Sequence, residues 1–192
     1  KDLAVCSNID KPYKNINKTQ KIRKLKKKKR RLQRKISRKY LINKKGESYC
    51  KTSNIIKAEK KLLKLNHRLT DIRYNYLHQV TTEIINRKPK FIVLEDLNVK
   101  GMMKNKHLSK AVAEQCFYEF YRQIEYKSSW NNIKFIIADR FYASSKICSC
   151  CGAVKKDLKL SDRIYKCDNC NTIIDRDKNA SINLYNYGKS IA

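Results

Sequence analysis

Apolar positions fall at helical spacing in two long stretches of the chain and in unbroken runs in two short ones. Ile22, Leu25, Leu32 and Ile36 lie three, seven and four residues apart, which predicts a helix with a thin apolar stripe and cationic side chains on its remaining faces. From about Ser53 to Arg87 a broader seam (Ile55, Ile56, Leu62, Leu65, Leu69, Ile72, Leu77, Val80, Ile84) predicts a second helix, with Gly46 in the turn between them. The two read as an αα-hairpin over about 18–87. Residues 1–9 read as a short strand. Phe91-Ile92-Val93-Leu94 followed by Glu95-Asp96 reads as a buried central strand whose end emerges where open α/β sheets place their ligands. A helix is expected from Ser109 to Ser129, with Val112, Cys116, Phe117, Phe120, Tyr121 and Ile124 at core spacing, then a strand from Ile133 to Asp139. Asn179, Ala180, Ile182 and Leu184 belong to a final helix. This order describes an α/β domain with two excursions, the helical hairpin and a cysteine-bearing module at about 144–174.

Charge changes the picture of the first helix. The 192 residues carry 46 Lys and Arg against 17 Asp and Glu, a net charge of +29, far beyond what solubility requires. Such an excess calls for a polyanionic partner, and nucleic acid is the default. Like charges stacked at i, i+3 and i+4 with few acids to pair them destabilise an isolated helix. Lys24, Lys27, Lys28, Arg30, Arg31, Arg34 and Arg38 are therefore the candidate contacts to a phosphate backbone. A membrane surface is the competing partner, but there is no apolar run of about 18 residues and no sustained apolar face with aromatic anchors.

Two C-x-x-C pairs, Cys148/Cys151 and Cys167/Cys170, are separated by fifteen residues, the spacing of a tetrahedral four-cysteine zinc site. Gly152 and Asn171 follow the second cysteine of each pair, and these residue types enter the left-handed region most cheaply, as a knuckle turn requires. Cys148-x-Cys150 is an alternative pairing; the Cys151 register matches its partner pair and puts the glycine in place. A disulfide framework is the other reading, and the scatter of Cys6, Cys50, Cys116 and Cys150 argues against it. Four cysteines close the coordination sphere, so such a zinc ion is structural.

Carboxylates stand where apolar elements end: Glu95 with Asp96, Asp139, and Asp175 with Asp177. Phosphodiester hydrolysis by two divalent ions, about 3.5–4 Å apart, needs acids converging from separate elements. Mg2+ takes hard oxygen ligands and suits such a set.

Four ordered blocks resemble the TnpB (OrfB) proteins of bacterial and archaeal insertion sequences, which are themselves similar to compact type V CRISPR effectors. They are Phe91 to Met102, Ser144 to Gly152, Tyr165 to Cys170, and Asp175-Arg176-Asp177-Lys178-Asn179-Ala180. The resemblance implies an RNase H-like (RuvC) nuclease domain over 1–143 with the basic αα-hairpin inserted in it. It implies a zinc ribbon at 144–174 beside the cleft and a closing RuvC helix at 175–192. The implied activity is RNA-guided, Mg2+-dependent DNA cleavage in a prokaryotic cytoplasm or nucleoid, with DNA and a guide RNA as partners. Glu95 matches the family's second catalytic carboxylate and Asp177 its third, with Asp175 as the alternative register. The family's first catalytic Asp falls upstream of the segment that Lys1-Asp2-Leu3-Ala4 resembles, and Asp2 lies past that position. On that reading the chain is the C-terminal part of a longer nuclease, expected to cut little by itself; the alternative is a nuclease-dead relic that only binds RNA or DNA. A strand-joining recombinase ranks below both.

Overall fold

The computed structural model describes residues 2–159 and 161–191; Lys1, Leu160 and Ala192, which the sequence reading assigns to the first strand, the zinc ribbon and the closing helix, lie outside the described residues. Two compact units are formed. One takes the residues up to Lys14 and those from Gln79 onward, and the other is Asn15–His78.

In the Asn15–His78 unit, a short 3-10 turn at Ile16–Lys18 leads into α1 (Gln20–Ile42). Its apolar stripe is real: Ile22 is fully buried and Ile36 nearly so, while the opposite face is exposed. A tight two-stranded ribbon, β3 (Lys44–Lys45) with β4 (Ser48–Tyr49), turns at Gly46, whose φ of 58° is a backbone state that only glycine adopts cheaply. The helix α2 (Ser53–Asn86) follows. Ile55, Leu65 and Leu69 are buried along it. Tyr40 of α1 donates to Glu59 of α2 (2.7 Å), and Arg73 of α2 donates to Asn17 of the 3-10 turn (2.7 Å).

The other unit is built on a parallel pair, β5 (Phe91–Glu95) with β6 (Lys134–Ala138), in the register Phe91↔Lys134 to Glu95↔Ala138. Between them run α3 (Val99–Lys104), α4 (Ser109–Gln115) and α5 (Phe117–Trp130). Residues paired across parallel strands share a face, and alternate residues face opposite sides. Phe135, opposite Ile92, meets Tyr121 of α5 with ring centroids 5.2 Å apart. Phe91 and Val93 point the other way, toward α6 (Arg176–Ile191), where Phe91 stacks on Tyr185 at 5.6 Å. Helix and strand approach so closely there that a Cβ on Gly188 would collide with the side chains of Val93 and Phe91. No helix among the described residues is long and apolar enough to cross a membrane.

Three expectations change. β5 is half-buried rather than buried, and in place of a central strand among several it has β6 as its one partner among the described residues. The first strand, expected over residues 1–9, shortens to β1 (Asp2–Ala4), which pairs antiparallel with β2 (Tyr13–Lys14). The single helix expected over 109–129 is broken at Cys116, a left-handed residue with φ 54°. Apolar spacing continues across the break, so periodicity alone does not register it.

The segment after β1 is held from the far end of the chain. Lys178 Nζ donates to the carbonyls of Cys6 (3.1 Å), Ser7 (2.9 Å) and Ile9 (2.9 Å), three acceptors for the three ammonium protons.

Candidate nuclease and metal site

β5 delivers Glu95 at its C-terminal end, and the first turn of α6 delivers Asp177. Both line one open cavity of about 1010 Å³, with Arg140, Arg163 and Arg176 on its walls. Three other acids at element ends have partners of their own. Asp96 also borders the cavity, but its Oδ2 accepts from Arg140 Nε (2.8 Å) and Nη2 (2.7 Å). Asp139 accepts from the Phe141 amide (2.7 Å) and so holds its own turn. Asp175, the alternative to Asp177, accepts from the amides of Asp177 (2.9 Å) and Lys178 (3.2 Å), capping α6, and it does not line the cavity. Asp2 lies on the cavity wall within β1. Glu95 is exposed, with one carboxylate oxygen receiving the Ser144 hydroxyl at 2.6 Å. Asp177 keeps a 3.6 Å contact to Arg176.

The cysteine module follows β6. Ile147 bridges to Val154, and β7 (Ile164–Lys166) pairs antiparallel with β8 (Ile173–Asp175), which runs directly into α6. Gly152 and Asn171 take φ of 76° and 57°, turning the backbone after each C-x-x-C pair. The thiols of Cys148, Cys151, Cys167 and Cys170 lie within 4.8 Å of one another. Cys148 to Cys170 is 3.7 Å and Cys151 to Cys167 is 3.6 Å. Tetrahedral zinc with sulfurs about 2.3 Å away requires S···S separations of about 3.8 Å, so the donor set could hold a metal such as zinc. Cys150 is exposed and outside the cluster. Burial pushes the Cys148 thiol up to about 11, whereas the Thr172 hydroxyl beside Cys170 brings that thiol down to about 6. The Asn169 amide lowers Cys151. Tyr165 plugs the module, buried, with its hydroxyl on the Lys146 carbonyl (3.1 Å).

What ties this module to α6 was not legible as function in the sequence. Asn179, fully buried, donates to the Ile147 carbonyl (2.7 Å) and accepts from the Ser149 amide (2.9 Å). Asn183, one turn on, donates to the carbonyls of Ser144 (2.7 Å) and Ile147 (2.6 Å). Two asparagines at i and i+4 on one helix face were the available signal.

All seven cations singled out on α1, Lys24, Lys27, Lys28, Arg30, Arg31, Arg34 and Arg38, are exposed. At 100° per residue they project away from the side that buries Ile22 and Ile36. Lys61, Lys64 and Arg68 of α2 extend this surface: with Lys28, Arg31 and Lys35 they rim a groove of about 450 Å³ floored by Leu32 and Leu65. Apolar α2 residues drew the sequence reading, and its cations were passed over.

Residues 117–184 match the family model described as Cas12f1-like, TNB domain. A protein of Streptomyces pristinaespiralis, named as a candidate RNA-guided DNA endonuclease, is 35% identical over 133 residues, covering 69% of this chain and 33% of that protein. InsQ of Escherichia coli K12, named in the same way, is 29% identical over 176 residues, covering 84% of this chain and 41% of its own length. A TnpB-like protein of Methanocaldococcus jannaschii is 30% identical over 125 residues, 61% of this chain and 43% of that protein. The chain thus spans less than half the length of these relatives. The fold matches that of a Cas12f1 chain solved by cryo-EM with sgRNA and target DNA, at a TM-score of 0.61 and 18% identity over 93% of this chain and 45% of that one. By these likenesses the chain belongs to the TnpB-type family.

Proposed function

We propose that the chain forms the RuvC-like, RNase H-type nuclease region of an RNA-guided DNA endonuclease, with a structural zinc ribbon at 144–174 and a closing helix from 175. The observation that carries this is convergence: Glu95 and Asp177, from distant parts of the sequence, line one cavity, where Asp96 is held by the Arg140 guanidinium, while Asp139 and Asp175 place their carboxylates on backbone amides. Hard carboxylate oxygens on two elements suit Mg2+. The bound ions would polarise the scissile phosphate and lower the pKa of an attacking water. Glu95 and Asp177 would hold them, and Arg140, Arg163 and Arg176 would meet the phosphate's remaining charge. The four thiols take one zinc ion. The two helices of the Asn15–His78 unit act as an inserted basic hairpin whose exposed cations lie along guide RNA or DNA backbone, contacts that position a strand without reading its sequence.

Cleavage of a DNA target in Mg2+ by the longer guide-loaded nuclease to which this chain would belong tests the assignment. Glu95→Gln and Asp177→Asn should each abolish cutting and leave binding intact, while Asp175→Asn should retain it. Cutting that survives Glu95→Gln refutes the site. A second reading, a protein that binds nucleic acid without cutting it, draws on the three arginines of the cavity wall, which can hold phosphate with no metal. It predicts tight binding and no Mg2+-dependent product in any of these variants.

A further inference from the structure

Glu95 stands at a strand end with its carboxylate exposed, a position in which a glutamate ordinarily samples several rotamers. Here one oxygen is taken by the Ser144 hydroxyl at 2.6 Å, the short distance of a charge-assisted O–H···O bond. Ser144 is itself buried and bonded at both backbone groups. It is 5% exposed, its amide donates to the Tyr142 carbonyl (2.8 Å), and its carbonyl accepts from buried Asn183 (2.7 Å). Asn183 and Asn179 share the Ile147 carbonyl one residue before Cys148, so the serine sits at the fixed root of the cysteine module. The hydroxyl is aimed at Glu95, at the end of β5, whereas the next residue, Asp96, is held by Arg140. Among the described residues the other carboxylate oxygen has no hydrogen-bond partner, and it can meet a cation.

We infer that Ser144 is a positioning residue: it fixes the Glu95 carboxylate in the orientation that binds a divalent cation, from a mounting supplied by α6 and the first cysteine knuckle. This rests on the reading of Glu95 as a metal ligand. Groups that hold metal-ligating carboxylates in place typically change affinity by about 10- to 100-fold when removed.

Mn2+ binding to the nucleic-acid-free, zinc-loaded full chain, followed by the EPR signal of the free ion, tests both steps separately. Ser144→Ala should raise the Mn2+ dissociation constant by about 10- to 100-fold with zinc content unchanged. Ser144→Thr should restore affinity, and Ser144→Val, its isostere without the hydroxyl, should not. That pair decides the matter if the alanine variant fails to fold, since both carry the same extra bulk. Glu95→Gln is the control. If it leaves Mn2+ binding intact, the ligand reading falls and this inference with it; if it weakens binding while Thr and Val variants bind alike, the positioning role alone is overturned.

Discussion

The two asparagines of α6 give the sharpest prediction, because they share an acceptor. Asn179→Ala removes the bonds to Ile147 (2.7 Å) and from Ser149 (2.9 Å). The Ile147 carbonyl keeps its 2.6 Å bond from Asn183, so the single variant orphans only the Ser149 amide and opens a small cavity. Together these cost about 2–4 kcal/mol. Asn183→Ala mirrors it, leaving Ile147 bonded to Asn179 and stranding the Ser144 carbonyl, for a similar cost of about 2–4 kcal/mol. Only the double variant strips Ile147 of both partners, and that third orphan adds about 1–3 kcal/mol beyond the two separate losses. Urea unfolding of the zinc-loaded protein by circular dichroism measures the cycle. A stabilising osmolyte should be included, because the summed loss approaches the whole stability of an ordinary domain, about 5–15 kcal/mol. Additivity within about 0.5 kcal/mol would refute the shared-acceptor geometry.

The metal site predicts about one zinc per chain by elemental analysis, lost in Cys167→Ser and kept in Cys150→Ser, since only the former thiol belongs to the cluster. Zinc affinity should fall as pH falls: the metal takes thiolates, burial holds metal-free Cys148 protonated well above neutrality, and added protons favour the empty form. Titration calorimetry in buffers of different ionisation enthalpy should therefore show protons released on binding. Asp175→Ala should lose about 0.5–2 kcal/mol as a helix cap is removed, while Asp175→Asn, an equally good cap, should be near neutral in the same unfolding assay. Gly188→Ala should cost about 1–3 kcal/mol by driving a methyl group into Val93 and Phe91. Replacing Arg31, Arg34 and Arg38 with alanine should lower the slope of log affinity against log salt for duplex DNA by about 0.9 per lost phosphate contact, measured by fluorescence anisotropy.

Different physical signals decided what could be seen beforehand. Long periods survive noise, so α2 was readable to within a residue of its observed end at Asn86. The knuckles were readable because metal geometry dictates both spacing and the turn residues, and Gly152 and Asn171 adopt the positive φ that their identity suggested. Pairing was harder. β1 carries only three residues, and nothing in them distinguishes β2 from β5 as a partner. The break at Cys116 was invisible because cysteine has no special claim on the left-handed region. Near the cavity, sequence could nominate every acid at an element end, whereas only the structure shows that the Asp175 carboxylate turns back to cap its helix. Ser144, Asn179 and Asn183 were hidden for a plainer reason: small polar residues belong to turns and helices everywhere, and their role appears only when a partner from another element is placed beside them.

Lys178 sets a timetable for the chain. The three carbonyls it binds belong to residues 6, 7 and 9, separated from it by 172, 171 and 169 positions in the sequence. During synthesis those residues leave the ribosome long before their ammonium anchor does. Asn15–His78, by contrast, is closed by neighbours along the chain and is free to collapse early. The segment at residues 6–9 therefore stays unmoored until Lys178 has been made, and any product that stops short of that lysine carries it loose. Protease exposure of residues 6–9 in arrested nascent chains would report this directly, as a clip that vanishes once Lys178 has cleared the tunnel.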